Sequence, residues 1–124
     1  NEESDPTLEA PAHKIFVFGS NLAGRHGKGA ALFAKQNRGA IYGQGFGEQG
    51  QSYAIPTKDK NLKTLPLHLI KDYVNVFIQY AKAHPELEFK LTPIGCGLAG
   101  YAYQDISPMF EDAPDNVNKP MEFM

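Results

Sequence analysis

Two short apolar runs that each break off into a glycine-rich loop constrain this chain more than any other feature. Lys14-Ile15-Phe16-Val17-Phe18 is rich in β-branched and aromatic residues and stops at Gly19. That is the signature of a buried parallel strand rather than of a strand with one wet face. The loop that follows, Gly19 to Gly29, holds too many glycines for a helix. Glu88 to Ile94 is a second strand candidate of this kind, and Gly95-Cys96-Gly97-Leu98-Ala99-Gly100 follows it directly.

Between these two units the chain alternates. Ala30 to Gln36 is a good helix former, with Gly39 at a plausible C-terminal cap. Ala40 to Gln51 carries turn residues around one short strand, and Ser52-Tyr53-Ala54-Ile55 reads as a strand closed by Pro56. Thr57 to Asn61 reads as an exposed loop. The clearest helix runs from Pro66, suited to a first-turn position, to Ala83. Ile70, Val74, Phe77, Ile78 and Ala81 recur there at intervals of three and four, giving one apolar face. Tyr103 to Phe110 reads as a last helix broken or started near Pro108, and Val117 has weak strand character. Strands alternating with helices predict an α/β domain with a parallel or mixed sheet. Glycine loops after strand carboxyl ends then fall at the edge where such sheets bind ligands.

Composition narrows the function. The chain has 124 residues, which fits residues 1–13 as a polar leader and 14–124 as a single domain with an irregular C-terminal tail. One cysteine, Cys96, leaves no disulfide framework and no thiolate cluster for a metal, and fits a reducing, cytoplasmic setting. A net charge of -2 gives no global pull toward nucleic acid or membrane. No apolar run is long enough to span a bilayer, and the opening Asn-Glu-Glu-Ser-Asp lacks the basic start of a secretory signal. The expected partner is therefore a small molecule, with no metal or cofactor implied.

Glycine lets a backbone turn its N–H groups inward and approach a ligand closely. Consecutive free N–H groups, with a helix start near Gly29, make an anion nest. The first loop lacks the glycine-lysine-serine/threonine ending of a nucleoside triphosphatase loop, and its glycine spacing misses the dinucleotide fingerprint. Phosphate binding survives without those particular folds.

The motifs resemble those of the macrodomains, which bind ADP-ribose and in some branches hydrolyse its derivatives. Val17-Phe18-Gly19-Ser20-Asn21 resembles the first core strand of that family, and His26-Gly27-Lys28-Gly29-Ala30-Ala31 the following loop and helix start. Thr92 to Tyr101 is similar to its second phosphate loop, in the manner of short phage or bacterial macro-like proteins. The resemblance covers roughly Lys14 to Phe110 and implies a three-layer α-β-α fold with a mixed central sheet. By position it implies that Asn21 bonds the distal ribose, while Gly27 and Gly29 let the backbone pass close by. Gly95, Gly97, Leu98 and Gly100 would offer N–H donors to the diphosphate, and Tyr101 would pack beside the sugar. Gly19, Ser20, Lys28, Ala30, Cys96 and Ala99 complete that implied binding surface.

Two departures matter. The upstream aspartate that recognises adenine in the family has no good counterpart, since Asp5 lies in the leader. Ile55-Pro56-Thr57-Lys58 resembles the lysine segment of the branch that removes ADP-ribose from glutamate, but the matching aspartate position is Ala99. His26, lying between Arg25 and Lys28, can titrate near neutral pH. With Asn21 and Asp59 it forms the constellation expected for removing the terminal phosphate of ADP-ribose-1''-phosphate. Hydrolysis and non-catalytic binding therefore both stand as expectations.

Overall fold

A computed structural model describes residues 13–96 and 100–123. Its core is a mixed five-stranded sheet in the order β2-β3-β1-β4-β5. The strands are β1 (Lys14–Asn21), β2 (Gly47–Gln49), β3 (Ser52–Lys58), β4 (Glu88–Leu91) and β5 (Val117–Asn118). The helices are α1 (Gly29–Asn37), α2 (Leu67–Ala83) and the short α3 (Tyr103–Ile106), with a 3-10 turn at Ser107–Phe110. β1 pairs in parallel with both β3 and β4, β4 pairs in parallel with β5, and only β2 runs antiparallel to its neighbour.

Side chains alternate across a strand, so successive β1 residues enter different apolar clusters. Ile15 and Val17 join Phe77, Phe89, Phe110 and the buried face of α2. Phe18 joins Ala31 and Ala34 of α1 and Ala54 of β3. The five apolar positions expected on α2 are all buried. Gly39 takes φ +75° just past α1, and the next N–H, that of Ala40, donates back to Ala34 O at 3.1 Å. No helix among the described residues is long and apolar enough to cross a membrane.

Three expectations need correction. Pro56 does not close β3, which continues to Lys58. β2 ends with Gly47 opposite Ala54, so that edge of β3 has no ladder bond left for Pro56 to break. Lys58 consequently sits in a strand, opposite Asn21, and Thr57 is buried rather than part of an exposed loop. Pro66 stands one residue before the helix as its N-cap, with ψ 153°, because its fixed φ of -65° suits both places. The Val117 segment is a true edge strand, parallel to β4.

Two tyrosines tie α2 to the β2 edge. Tyr80 donates its hydroxyl to the Glu48 carboxylate, and Tyr53 packs against Tyr80 with ring centroids 5.2 Å apart. Burial, reinforced by Glu48, pushes the Tyr53 phenol up to about 12, and burial plus the hydrogen bond to Glu48 raises Tyr80 as well. An unfolded tyrosine ionises near 10, so above that pH the unfolded chain sheds protons that the fold still holds. Stability is therefore expected to fall as pH rises from about 10 toward 12. Urea midpoints at pH 8, 10 and 11 check this; a flat profile would contradict it.

Candidate functional site

The parallel neighbours β1 and β4 end at the same sheet edge, and a cavity of ≈ 670 Å3 opens there. Gly19 brings the two loops together. A methyl group placed on it would lie 3.5 Å from Ile94 Cβ and 3.6 Å from Gly95 N. Ser20 and Asn21 line the cavity from the end of β1, Gly27 and Lys28 from the first loop, Gly29 and Ala30 from the start of α1, and Gly95 and Cys96 from the second loop. Gly29 and Gly95 take φ +57° and +75°, backbone that favours glycine. Gly97, Leu98 and Ala99 lie outside the described residues. Gly100 and Tyr101 are described but do not line the cavity.

Several lining residues also carry unspent backbone donors. The N–H groups of Gly27, Lys28, Gly29, Ala30 and Gly95 have no acceptor among the described residues. Those at the start of α1 are the orphan donors that every helix leaves in its first turn. Arg25, Lys28 and Lys58 also line the cavity, and no described lining residue is a carboxylate. None of these cations is in an ion pair among the described residues. A chain of net charge -2 thus concentrates three cations and a set of open N–H groups at one crevice.

Asn21 holds its own loop. Its Nδ2 donates to Arg25 O at 3.0 Å, and its Oδ1 accepts from Arg25 N at 2.9 Å. One amide hydrogen is left for a ligand. Lys58, at the end of β3, reaches the cavity directly. His26 does not line it: the ring is buried to 1% exposure and packs edge-on to Phe18, centroids 5.2 Å apart. His26 Nε2 faces Gln44 O at 3.0 Å and Gln49 Oε1 at 3.2 Å. Both are acceptors, so Nε2 carries the hydrogen, and Nδ1 is buried without a partner. Asp59 also lies outside the lining. Its Oδ1 accepts from Asn61 N and Lys63 N, and this turn holds Leu62 at φ +64° on the cavity wall. Left-handed backbone costs a leucine roughly 1–2 kcal/mol, and the Asp59 hydrogen bonds hold the turn that carries it.

Tyr101 turns away from the cavity. Its hydroxyl donates to Leu65 O at 2.6 Å and its N–H to Gly95 O at 2.8 Å, which closes the second loop. Tyr103 borders the cavity instead, with Tyr42, Leu62, Thr57, Thr92 and Pro93. Thr92 and Pro93 belong to the segment that resembles the second phosphate loop and Thr57 to the lysine segment, whereas Tyr42, Leu62 and Tyr103 were not expected at the site. Tyr42 was visible as an aromatic among glycines, while the others reach the site only through tertiary packing. Cys96 lines the cavity with its Sγ 3.4 Å from Ile94 O. Burial first, then the Asp105 and Glu122 carboxylates, pushes its thiol up. Among the described residues no group of three or more His, Cys, Asp or Glu is placed to hold a metal.

Comparison with protein-family models, with curated proteins and with solved structures finds no match. The site's reading therefore rests on its own geometry.

Two outcomes are expected. A methyl group on Gly45 would sit 2.0 Å from Asn21 O, so Gly45→Ala forces the first loop off the hairpin beneath it. The substitution should cost about 1–3 kcal/mol, read as a lower urea midpoint; wild-type stability would contradict the packing. Cys96 should alkylate with iodoacetamide at pH 7.5 more slowly than free cysteine, because less of it is thiolate. An equal or faster rate would contradict the raised thiol.

Proposed function

We propose that the cavity between the two glycine loops binds ADP-ribose or a closely related phosphorylated nucleotide-sugar, on a macrodomain-like three-layer fold. The observation that carries this reading is the pairing of open N–H groups from both loops with three cations, and no carboxylate, around one cavity. Such a crevice favours an anion at its centre, because fixed N–H dipoles and cations act together where water is partly excluded. Its volume of ≈ 670 Å3 falls in the usual range for small-molecule sites. The adjacent carboxyl ends of β1 and β4, and apolar clusters fed by α1 and α2 separately, support the fold assignment.

Binding without turnover is the form of the proposal we favour. Lys58 at the cavity wall speaks for hydrolysis. Against it, the His26 ring is buried outside the lining and the Asp59 carboxylate is held by its own turn. A general acid or base must come within hydrogen-bond reach of the proton it moves, and neither residue borders the space a ligand would fill.

Titration calorimetry with ADP-ribose tests the binding. Saturable heat is expected, with Arg25→Ala and Lys58→Ala each weakening affinity by roughly tenfold or more, the scale of a lost charge-assisted hydrogen bond. Absence of heat at millimolar ADP-ribose would end the proposal. Phosphate release from ADP-ribose-1''-phosphate should not exceed that of an Asn21→Ala, His26→Ala double variant. Clear release by the wild type would make the protein a hydrolase.

A further inference from the structure

Most of the short polar side chains of the cavity hydrogen-bond within the protein. Ser20 Oγ donates to Asn21 O at 3.3 Å, Thr57 Oγ1 to Ser20 O at 3.2 Å and Thr92 Oγ1 to Val17 O at 2.7 Å. Cys96 Sγ points at Ile94 O, and Asn21 spans the Arg25 backbone. Ser20 and Thr57 are also almost fully buried. A site that distinguishes bases needs free donors and acceptors in a fixed pattern, above all an acceptor for the exocyclic amine of adenine, guanine or cytosine. No described carboxylate lines this cavity, and its one amide side chain, Asn21, keeps a single donor hydrogen and spends its oxygen on Arg25 N. The charged groups present, Arg25, Lys28 and Lys58, answer to negative charge.

What the rim offers a base is aromatic surface. Tyr42 and Tyr103 are 58% and 47% exposed and border the cavity from different parts of the chain. Tyr42 lies edge-on to His26 with centroids 6.4 Å apart, and His26 is fixed by Gln44 and by the buried Gln49. The hairpin is pinned further: Gln49 Oε1 accepts from Ile41 N, beside Tyr42, at 2.7 Å. The buried imidazole is thus a positioning residue for an exposed ring. Every nucleobase has a π-face, so stacking gives affinity without choosing among bases.

We infer that the site takes nucleoside-diphosphate sugars irrespective of their base, held by the diphosphate and by stacking on Tyr42 and Tyr103. This rests on the nucleotide-sugar reading of the cavity and narrows it to a class of ligand.

The test is calorimetry with ADP-glucose, GDP-glucose, UDP-glucose and CDP-glucose, alongside ADP-ribose and inorganic pyrophosphate. The four dissociation constants should agree within about fivefold, a spread of the size that differences in stacking strength produce. Tyr103→Ala should weaken all four by a similar factor, about tenfold for one lost base–aromatic stack, and leave pyrophosphate unchanged. Tyr103→Phe should retain wild-type values. Because Tyr103 is exposed, the alanine variant should keep the wild-type melting temperature, measured in parallel. A preference above tenfold for one base, or a Tyr103→Ala loss confined to one base, would overturn the inference while leaving the cavity a nucleotide-sugar site. Binding of ADP-ribose but of none of the four glucose conjugates would also overturn it. Binding of no nucleotide at all would overturn both readings.

Discussion

Parallel pairing of β1 with β4, in register from Lys14 opposite Glu88 to Val17 opposite Leu91, is the constraint on which the rest of the molecule depends. Parallel neighbours end at the same sheet edge, so whatever follows the two strands must share that edge. Here both continuations are rich in glycine, and they meet at Gly19, which lies against Ile94 and Gly95. The apolar faces of β1 and β4 hold this pairing against α2 through Ile15, Val17, Phe89 and Leu91. The crevice follows from strand order before any residue in it is considered.

The first loop is held in place by hydrogen bonds and close packing. Asn21 bridges the Arg25 backbone, and Gly24 packs on Gly43 so closely that a methyl group there would lie 2.2 Å from Gly43 C. Gln49, buried in β2, gathers His26, Ile41 N, Gln44 O and Gly47 O around one amide. A fully bonded amide of this kind loses stabilisation if any partner moves, so the Gly-rich hairpin and the first loop behave as one unit. Preorganisation matters for an anion site, because N–H groups already aimed at the ligand cost little further ordering on binding. The side chains that fix the first loop spend most of their hydrogen-bonding capacity there, so charge, backbone N–H and the two rim tyrosines make up most of what a ligand meets.

Local pattern made much of the fold legible. The period of α2 named its five buried residues, whereas the change from apolar run to glycine misplaced the strand ends: β1 runs on through Gly19 to Asn21, and β4 stops at Leu91 rather than Ile94. Pro56 misled because proline is a breaker only where a ladder bond is lost, and the end of β2 at Gly47 cannot be read from local sequence. The same limit applies at the site. Lys28 could be placed at the crevice from the loop that carries it, whereas Asn21 and Lys58 were expected there only from the family resemblance, Lys58 reading locally as part of an exposed loop. His26 reads as a cationic-loop histidine because its sequence neighbours are Arg25 and Lys28, whereas its spatial neighbours are Phe18, Gln44 and Gln49. Tyr101 and Tyr103 are two residues apart, and which of them borders the cavity depends on the turn that Gly95 and the Leu65 carbonyl impose.

The most direct measurement is an amide-resolved 15N NMR titration of the whole chain with ADP-ribose. The account requires the N–H signals of Gly27, Gly29 and Ala30 to move together with those of Gly95 and Cys96, all along one saturation curve with one dissociation constant. Movement of only one loop, or shifts concentrated away from the β1–β4 edge, would contradict the claim that both bends hold the same anion.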